Sequence, residues 1–447
     1  MKKNRYKIWV DRPHLFLPDD TIILVARLKE TVEYERLREA VGTAACAHEI
    51  LNCRIRMDHR GRAWYESEGW KTGKCSPSLQ SWSFQVAEED WSVIAEQEIN
   101  QVRDPFSDRL CRFFAGHREG GTQVVIAAHH LVGDAMSLMY LMEDVIKALS
   151  GKTLKPVPVR LLTRKELPKT DRTDDVRSRQ MGMLNKIWRQ QKNVSGPREC
   201  RQTGESYHEN YRGSIFCETL DSGTVTVLRH IAREAGISVN GILMAALLQA
   251  NGGQTDLGLP VNIRANNENF PRSGNFAGGI MISKCYDTAK TLAENGKDLD
   301  QEVKNMLQDG KSPYASLKLF AMVEPGLLDS ACMYRYGITD HEMAGWFADY
   351  LGYAEEPQGI CLSNLKSLSF PIEIGPYHLQ EVLFLPPVAP NNQKSLGIVT
   401  FQGKMQITMH AVGRNTDSPE KRETDAHFFQ KFMGYLRETG DSGSTLK

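Results

Sequence analysis

The sequence predicts an α+β fold built as two lobes. Three observations carry this. Strand-like and helix-like patterns are mixed on both sides of residues 152–209, the stretch between them is dense in charge and carries several prolines, and 447 residues exceed one ordinary core. The lobes are drawn at 1–160 and 211–447, with 161–210 as a charged crossover carrying one helix.

In the first lobe, Asp20–Lys29 reads as a strand and Tyr34–Ala47 as a helix with Leu37, Val41, Ala44 and Ala45 inward. Asn52–Met57 and Ala63–Glu66 flank the turn His59-Arg60-Gly61-Arg62 as a hairpin. A helix over Trp91–Val102 stops before Pro105. Leu110–His117 is a strand, Glu119-Gly120-Gly121 turns the chain, and Val124–Ala128 is the next strand. It runs into a helix with Leu138, Leu141, Met142, Val145 and Leu149 on one face, the spacing of a single buried stripe. The crossover carries a helix around Asp175–Gln191. It reads as a solvated connector, with a docking surface for an acidic partner as the alternative that its balanced acids weaken.

The second lobe begins with strand Ser214–Leu220 and helix Thr224–Ala235, closed by Gly236. Ser238 or Asn240 caps the next helix, Gly241–Ala250, which is apolar nearly all round and therefore buried. Strands follow at Leu257–Ile263 and Gly278–Lys284, then a helix over Thr288–Leu307. Gly359–Leu365 and Glu381–Phe384 are strands, Ile398–Phe401 and Lys404–His410 a hairpin around Gln402-Gly403, and Thr424–Arg437 a closing helix.

Composition narrows the function classes. Lysine plus arginine equal aspartate plus glutamate at 55 each, which gives no reason to expect nucleic acid or an anionic membrane as partner. No run of about 18 apolar residues suggests a membrane span, and no apolar stretch follows the basic start to make a signal peptide. The expected location is the cytoplasm. Nine scattered cysteines without C-x-x-C spacing predict neither a disulfide framework nor a cysteine zinc site.

The strand and helix that end the first lobe meet at His129, His130 and Asp134. Two imidazoles and a carboxylate at such a junction are costly unless paired or used. Side chains alternate along a strand, so the two histidines cannot face the same way. One looks into a cleft while the other turns inward to hold the turn. Asp134 stands where the helix begins, placed to cap it or to take an ion pair. A lone general base needs this arrangement: a near-neutral imidazole held in one orientation. The residues alone also allow two satisfied core histidines and an N-cap aspartate. No further ligand falls at metal spacing, so no metal is expected.

His129-His130-x-x-x-Asp134-Ala135 resembles the HHxxxDG motif of the condensation-domain and chloramphenicol-acetyltransferase-like superfamily of acyltransferases. The likeness runs in order along the chain. It takes in His48-Glu49-Ile50-Leu51-x-x-Arg54, Asp104-Pro105-Phe106 and Leu110-Cys111-Arg112. It continues through Gly236-Ile237-Ser238-Val239-Asn240, Val261-Asn262-Ile263-Arg264, Gly274-Asn275-Phe276, Ser363-Asn364-Leu365 and Phe384-x-Pro386-Pro387. The DFGWG motif of the plant branch is absent, which points to the bacterial free-standing type, and no carrier-protein or adenylation segment is seen.

The resemblance implies two chloramphenicol-acetyltransferase-like lobes, each a mostly antiparallel or mixed sheet with helices. They form a V-shaped pseudo-dimer around a central tunnel. It implies an enzyme of secondary metabolism that moves an acyl group from acyl-coenzyme A, or from a carrier-protein phosphopantetheinyl thioester, to a small-molecule alcohol or amine. No cofactor is bound; the thioester is a co-substrate. His130 is the implied general base, His129 braces the turn, and Asp134 pairs with Arg264. Ser363 and Asn364 are implied contacts to the oxyanion or the acceptor. Ala135 stands where the motif has glycine, beside the donor channel, and Lys366 replaces the glycine after Ser-Asn-Leu. The alternatives are a condensation enzyme joining carrier-bound substrates and a catalytically silent docking module.

Overall fold

In the computed structural model, residues 3–68, 70, 80–168, 172–191, 195–264, 272–353, 357–368, 371–417 and 419–442 are described. The first half runs β1 (Lys3–Lys7), β2 (Thr21–Leu28), α1 (Tyr34–Ala47), β3 (Cys53–Met57), β4 (Ala63–Glu68), β5 (Trp82–Val86), α2 (Trp91–Ile99), β6 (Cys111–Arg118), β7 (Gly121–His129) and α3 (Ala135–Leu149). Two helices cross over, α4 (Arg172–Gln190) and α5 (Pro197–Asn210). The second half runs β8 (Tyr211–Leu220), α6 (Ser222–Glu234), α7 (Val239–Asn251), β9 (Thr255–Asn262), β10 (Ala277–Lys284), α8 (Leu292–Gln308), α9 (Ala315–Met322), α10 (Pro325–Arg335) and α11 (Glu342–Tyr350). It closes with β11 (Gly359–Ser367), β12 (Glu373–Ile374), β13 (Tyr377–Leu385), β14 (Asn392–Phe401), β15 (Lys404–Arg414) and α12 (Pro419–Ser442).

The larger strands form two six-stranded mixed sheets, ordered β12-β13-β2-β7-β6-β5 and β10-β9-β11-β14-β15-β8, beside a small β1-β4-β3 sheet. In the first, β7 lies between β2 and β6, both antiparallel, and all nine of its residues are buried. Covered on both faces, it reads as a continuous apolar run rather than an alternating one. Helix α3 packs its Leu138, Leu141, Met142, Val145 and Leu149 face into the same core. The second sheet is backed by α7, whose residues Gly241–Leu248 are all buried, and by α6 and α12. Helix α8 opens on a capping box, Thr291 with Glu294, which satisfies backbone donors at both ends of the box.

The two halves share strands as well as contacts. Strands β12 and β13 belong to the second half of the chain, yet β13 pairs antiparallel with β2, with Phe384 opposite Leu24. The Thr408 Oγ1 hydroxyl of β15 donates to the Phe384 carbonyl at 2.5 Å, and Gln406 Nε2 donates to Glu381 Oε1 at 2.9 Å. One strand thus pairs in one sheet and is hydrogen-bonded by side chains of the other.

The structure adds elements that the sequence pattern did not suggest: β1, β5, α5 and the short helices α9–α11. Strands β1 and β5 are five-residue sheet edges: β1 is polar, and β5, although Trp82, Phe84 and Val86 alternate with Ser83 and Gln85, is short and has no fully buried residue. Helix α5 buries only Cys200, Thr203, Gly204 and Tyr207, too few bulky groups to show a stripe. Cys46 is disulfide-bonded, a bond the sequence reading missed because pairing depends on distance in space rather than spacing in sequence. No single described helix is long and apolar enough to cross a membrane.

Candidate active site

The site forms where β7 ends. The His130 N–H donates to the Asp20 carbonyl at 2.8 Å, extending the β2–β7 ladder by one bond. The His129 ring accepts the Leu131 N–H on Nδ1 at 3.2 Å, closing a 3-10 turn over His130–Val132, and Tyr65 Oη donates to the Leu131 carbonyl at 2.8 Å. Burial holds the His129 imidazole well below the ordinary histidine range, with His14, His130 and Arg112 adding to the effect, so the ring is neutral and serves as an acceptor.

The next bend needs glycine. Gly133 has φ of 148°, and a Cβ there would lie 2.7 Å from the Ser137 Cβ and 3.2 Å from the Gly274 nitrogen. Gly274 faces it with φ of 116°, and a Cβ there would meet the Arg160 carbonyl at 2.5 Å. The backbones pass that closely because α3 is pinned to the 274–276 segment by Asp134. Its Oδ1 caps the helix, accepting from the Ser137 N–H and hydroxyl at 3.0 Å each. Its Oδ2 accepts from Arg264 and from the Phe276 N–H at 2.9 Å. Arg264 also donates to Ser137 Oγ at 2.9 Å and to the Gly274 carbonyl at 2.7 Å, and its guanidinium lies 4.7 Å from the centre of the Phe276 ring.

His130 is half-buried and held from both ends by Asn275. The Asn275 amide donates to the His130 carbonyl at 3.0 Å, and its Oδ1 lies 3.0 Å from His130 Nδ1. An amide oxygen can only accept, so Nδ1 carries the hydrogen and Nε2 is left with a lone pair. Burial is the main cause that keeps this imidazole below its ordinary pKa; His14 lowers it further, while Asp20 and Asp134 oppose. A neutral imidazole with a fixed tautomer and an available Nε2 can accept a proton near pH 7.

The N-terminal segment supplies the remaining polar groups. The His14 ring stacks on His130 with centroids 4.2 Å apart and planes 8° from parallel. His14 Nδ1 lies 3.0 Å from Asp20 Oδ2, the oxygen that approaches His129 to 3.8 Å. Burial raises the Asp20 carboxyl well above the usual carboxylate range, and raises Asp11 to about 6 against a lowering by His14 and by a hydrogen bond with Asn275.

Of the residues singled out in the sequence, His129, His130, Asp134 and Arg264 come together around this one turn. Ala135 is the first residue of α3 and packs on the first core. Ser363 and Asn364 lie on β11; Asn364 donates its amide to Asn240 Oδ1 at 2.6 Å and accepts the Lys366 N–H at 2.7 Å. Lys366 adopts φ of 62°, the left-handed backbone that a glycine would take without cost. Asp11, His14 and Asp20 were missed, and nothing in their spacing marks them. Asn275 had a signal, the Gly274-Asn275-Phe276 segment, but no role had been read into it. Among the described residues no group of three or more His, Cys, Asp or Glu side chains is arranged to hold a metal ion.

Comparison with known proteins adds a family and a fold. The family model described as "Condensation domain" matches residues 22–325. Surfactin synthase subunit 1 of Bacillus subtilis (strain 168) is 22% identical over 291 residues, which is 60% of this chain; the chain spans 7% of that relative's length. Among solved structures, the trichothecene 15-O-acetyltransferase TRI3 of Fusarium sporotrichioides superposes with a TM-score of 0.61 at 10% identity, covering 97% of this chain and 94% of that one. The condensation domain of the monacolin K polyketide synthase MokA superposes at 0.59 and 14% identity, covering 98% and 97%. Polyketide synthase associated protein 5 of Mycobacterium tuberculosis also gives 0.59, at 12% identity and 97% of both chains.

Proposed function

The chain belongs to the condensation-domain family, and on that premise we propose that it is an acyltransferase. It moves an acyl group from a thioester, either acyl-coenzyme A or a carrier-protein phosphopantetheinyl thioester, to an alcohol or amine. Donor and acceptor meet at His130 in a tunnel between the two halves. His130 Nε2 takes the proton of the acceptor as its oxygen or nitrogen attacks the thioester carbonyl, and the same proton then goes to the departing thiolate. The attack is direct, so no acyl-enzyme forms.

The observation that carries this reading is the Asn275 clamp, which fixes the tautomer with its lone pair on Nε2. Asp134 and Arg264 hold the turn in place, and His129 braces it from within. Asn364 gives one amide N–H to Asn240, so its second N–H and the Ser363 hydroxyl are the candidate donors to the oxyanion. Ala135, on the first turn of α3, stands beside the path of the pantetheine arm.

A second reading has its own support. The matched family and the surfactin synthase relative favour a condensation reaction in which donor, acceptor or both arrive on carrier proteins. Thiol release measured against a panel of acyl-coenzyme A donors and acyl-loaded carriers, each with mixed alcohols and amines, tests both readings. Release that depends on the acceptor, and that falls roughly 100-fold or more in His130→Ala with folding intact, supports the proposal. If no thioester gives acceptor-dependent release, the catalytic reading fails and the docking-module alternative takes its place.

A further inference from the structure

The proton chemistry proposed for His130 leaves a second imidazole unexplained. We infer that His14 is a positioning residue of this site: Asp20 holds the His14 ring flat against His130, and the stacked pair accommodates one proton but not two. The inference rests on the reading of His130 as the general base and adds to it the group that keeps that base unprotonated.

The geometry is specific. One residue, Asp20, seats both rings. Its carbonyl accepts the His130 N–H at 2.8 Å, and its carboxylate lies 3.0 Å from His14 Nδ1. The rings are stacked at 4.2 Å and 8°, close to parallel, an arrangement two imidazolium cations would oppose and one neutral ring tolerates. His14 itself stands in a 3-10 turn over Arg12–Leu15 that is anchored at both flanks. Arg12 is buried in an ion pair with Asp329 of α10, and Asp20 is buried at the start of β2. The ring therefore has little freedom to leave the stack.

The titratable and charged groups around His130 can be named from each side. His14 comes from the 3-10 turn, Asp20 from the residue before β2, His129 from β7 itself, and Asp134 with its partner Arg264 from the start of α3. Asp11 interacts with His14 and is hydrogen-bonded with Asn275, and Asp19 adds its charge beside Asp20. Asp134 is engaged by Arg264, Ser137 and Phe276, and His129 accepts the Leu131 N–H. Asp20 and Asp134 both favour a protonated His130, and His14 opposes it from the stacked ring. When His14 carries a proton, a second proton on His130 is disfavoured; when His14 is neutral, His130 can accept one from substrate.

Imidazole NMR titration of the full chain, labelled at histidine, tests this without any substrate. In the wild-type protein His14 and His130 should titrate as a coupled pair, each curve broader than a single-site curve or in two steps. Two independent single-site curves would overturn the inference. In His14→Phe, which keeps a flat ring but no charge, and in His14→Gln, which keeps a polar partner for Asp20 but no ring, the His130 midpoint should rise by about one pH unit. The acid limb of the kcat/KM profile with the best thioester donor should move up by the same amount. A merely structural His14 would lower activity without moving either midpoint, and unmoved midpoints in both variants sink the idea. Should the midpoint move while no thioester is turned over, the inference stands and the acyltransferase reading falls. Should turnover be present and both midpoints stay fixed, the reverse holds.

Discussion

Two buried arginine–aspartate pairs tie the halves of the chain together, one at the turn that carries His130 and one beside it. Arg264 from the second half meets Asp134 from the first, and Arg12 from the first half meets Asp329 from the second. Their surroundings differ. Asp134 also accepts from the Ser137 N–H and hydroxyl and from the Phe276 N–H, while Arg264 reaches Ser137 and the Gly274 carbonyl. Among the described residues both hydrogen bonds to the Asp329 carboxylate come from Arg12, and burial still pushes that carboxyl above its usual range. The first is a network that fixes the backbone beside His130. The second is a bare cross-link. A bare buried pair can be exchanged for apolar packing with little loss, whereas a network leaves backbone groups stranded when its charges go.

The largest effects should come from breaking either pair on one side only. Asp134→Ala and Asp329→Ala each leave a buried guanidinium without its partner, and each should lose about 3–5 kcal/mol in denaturant unfolding. The double variants separate the two. Arg12→Met with Asp329→Leu should return to within about 1 kcal/mol of the wild type or exceed it. Arg264→Met with Asp134→Leu should remain at least about 2 kcal/mol short, because the Ser137 and Phe276 N–H groups lose their acceptor. Equal recovery in both doubles would erase the distinction.

Asp11 sits between the pairs, next to Arg12 in sequence and hydrogen-bonded with Asn275, and it sharpens the comparison through pH. Burial raises its folded-state pKa from the ordinary 3.8 to about 6, so the folded protein holds this proton more tightly than the unfolded chain. Its contribution to stability is full below about pH 4 and is lost as pH rises through about 6. Asp11→Asn, which resembles the protonated acid, should therefore gain on the wild type between pH 4 and pH 7, by on the order of 2–3 kcal/mol. A constant difference across that range would remove Asp11 from the account.

A smaller effect tests the tautomer. Asn275→Ala should slow acyl transfer roughly tenfold, about 1–2 kcal/mol in the barrier, through loss of the Nδ1 clamp. Thiol-release kinetics would show it, and the Arg264–Asp134 network should keep unfolding close to wild type. The smallest change lies on neither pair. Lys366→Gly relieves a left-handed backbone and should stabilise the fold by about 1 kcal/mol, read as a shift in denaturant midpoint. A loss there would mean that the lysine side chain makes contacts that outweigh its strain.

Much of the molecule was legible because its strongest patterns are local. The apolar run of β7, the single stripe of α3 and the all-round apolar α7 each declare themselves within a few turns of sequence. The His129-His130 turn was visible as a polar interruption of such a run. What escaped has the opposite character. Strand β1 is a polar edge and β5 a five-residue edge, α5 buries few bulky residues, and α9–α11 are only 8, 11 and 9 residues long, too short to show a period. Around the turn, His14 and Asp20 lie more than a hundred residues before the ring they flank, and Asn275 as far after it. A lone histidine or asparagine has no periodicity, and only the meeting of distant segments gives it a role.

Strand β13 carries a consequence for how the chain comes to be folded. The open side of β2, lined by Ile23, Leu24 and Val25, is covered only when Tyr377–Leu385 arrives to pair with it. On a ribosome adding about 5–20 residues per second, the wait between the two strands is on the order of tens of seconds. Throughout that interval an apolar strand edge stays available to other chains. Nascent chains halted before residue 377 should therefore be held by chaperones or lost to aggregates, and fragments ending there should not yield a stable first half.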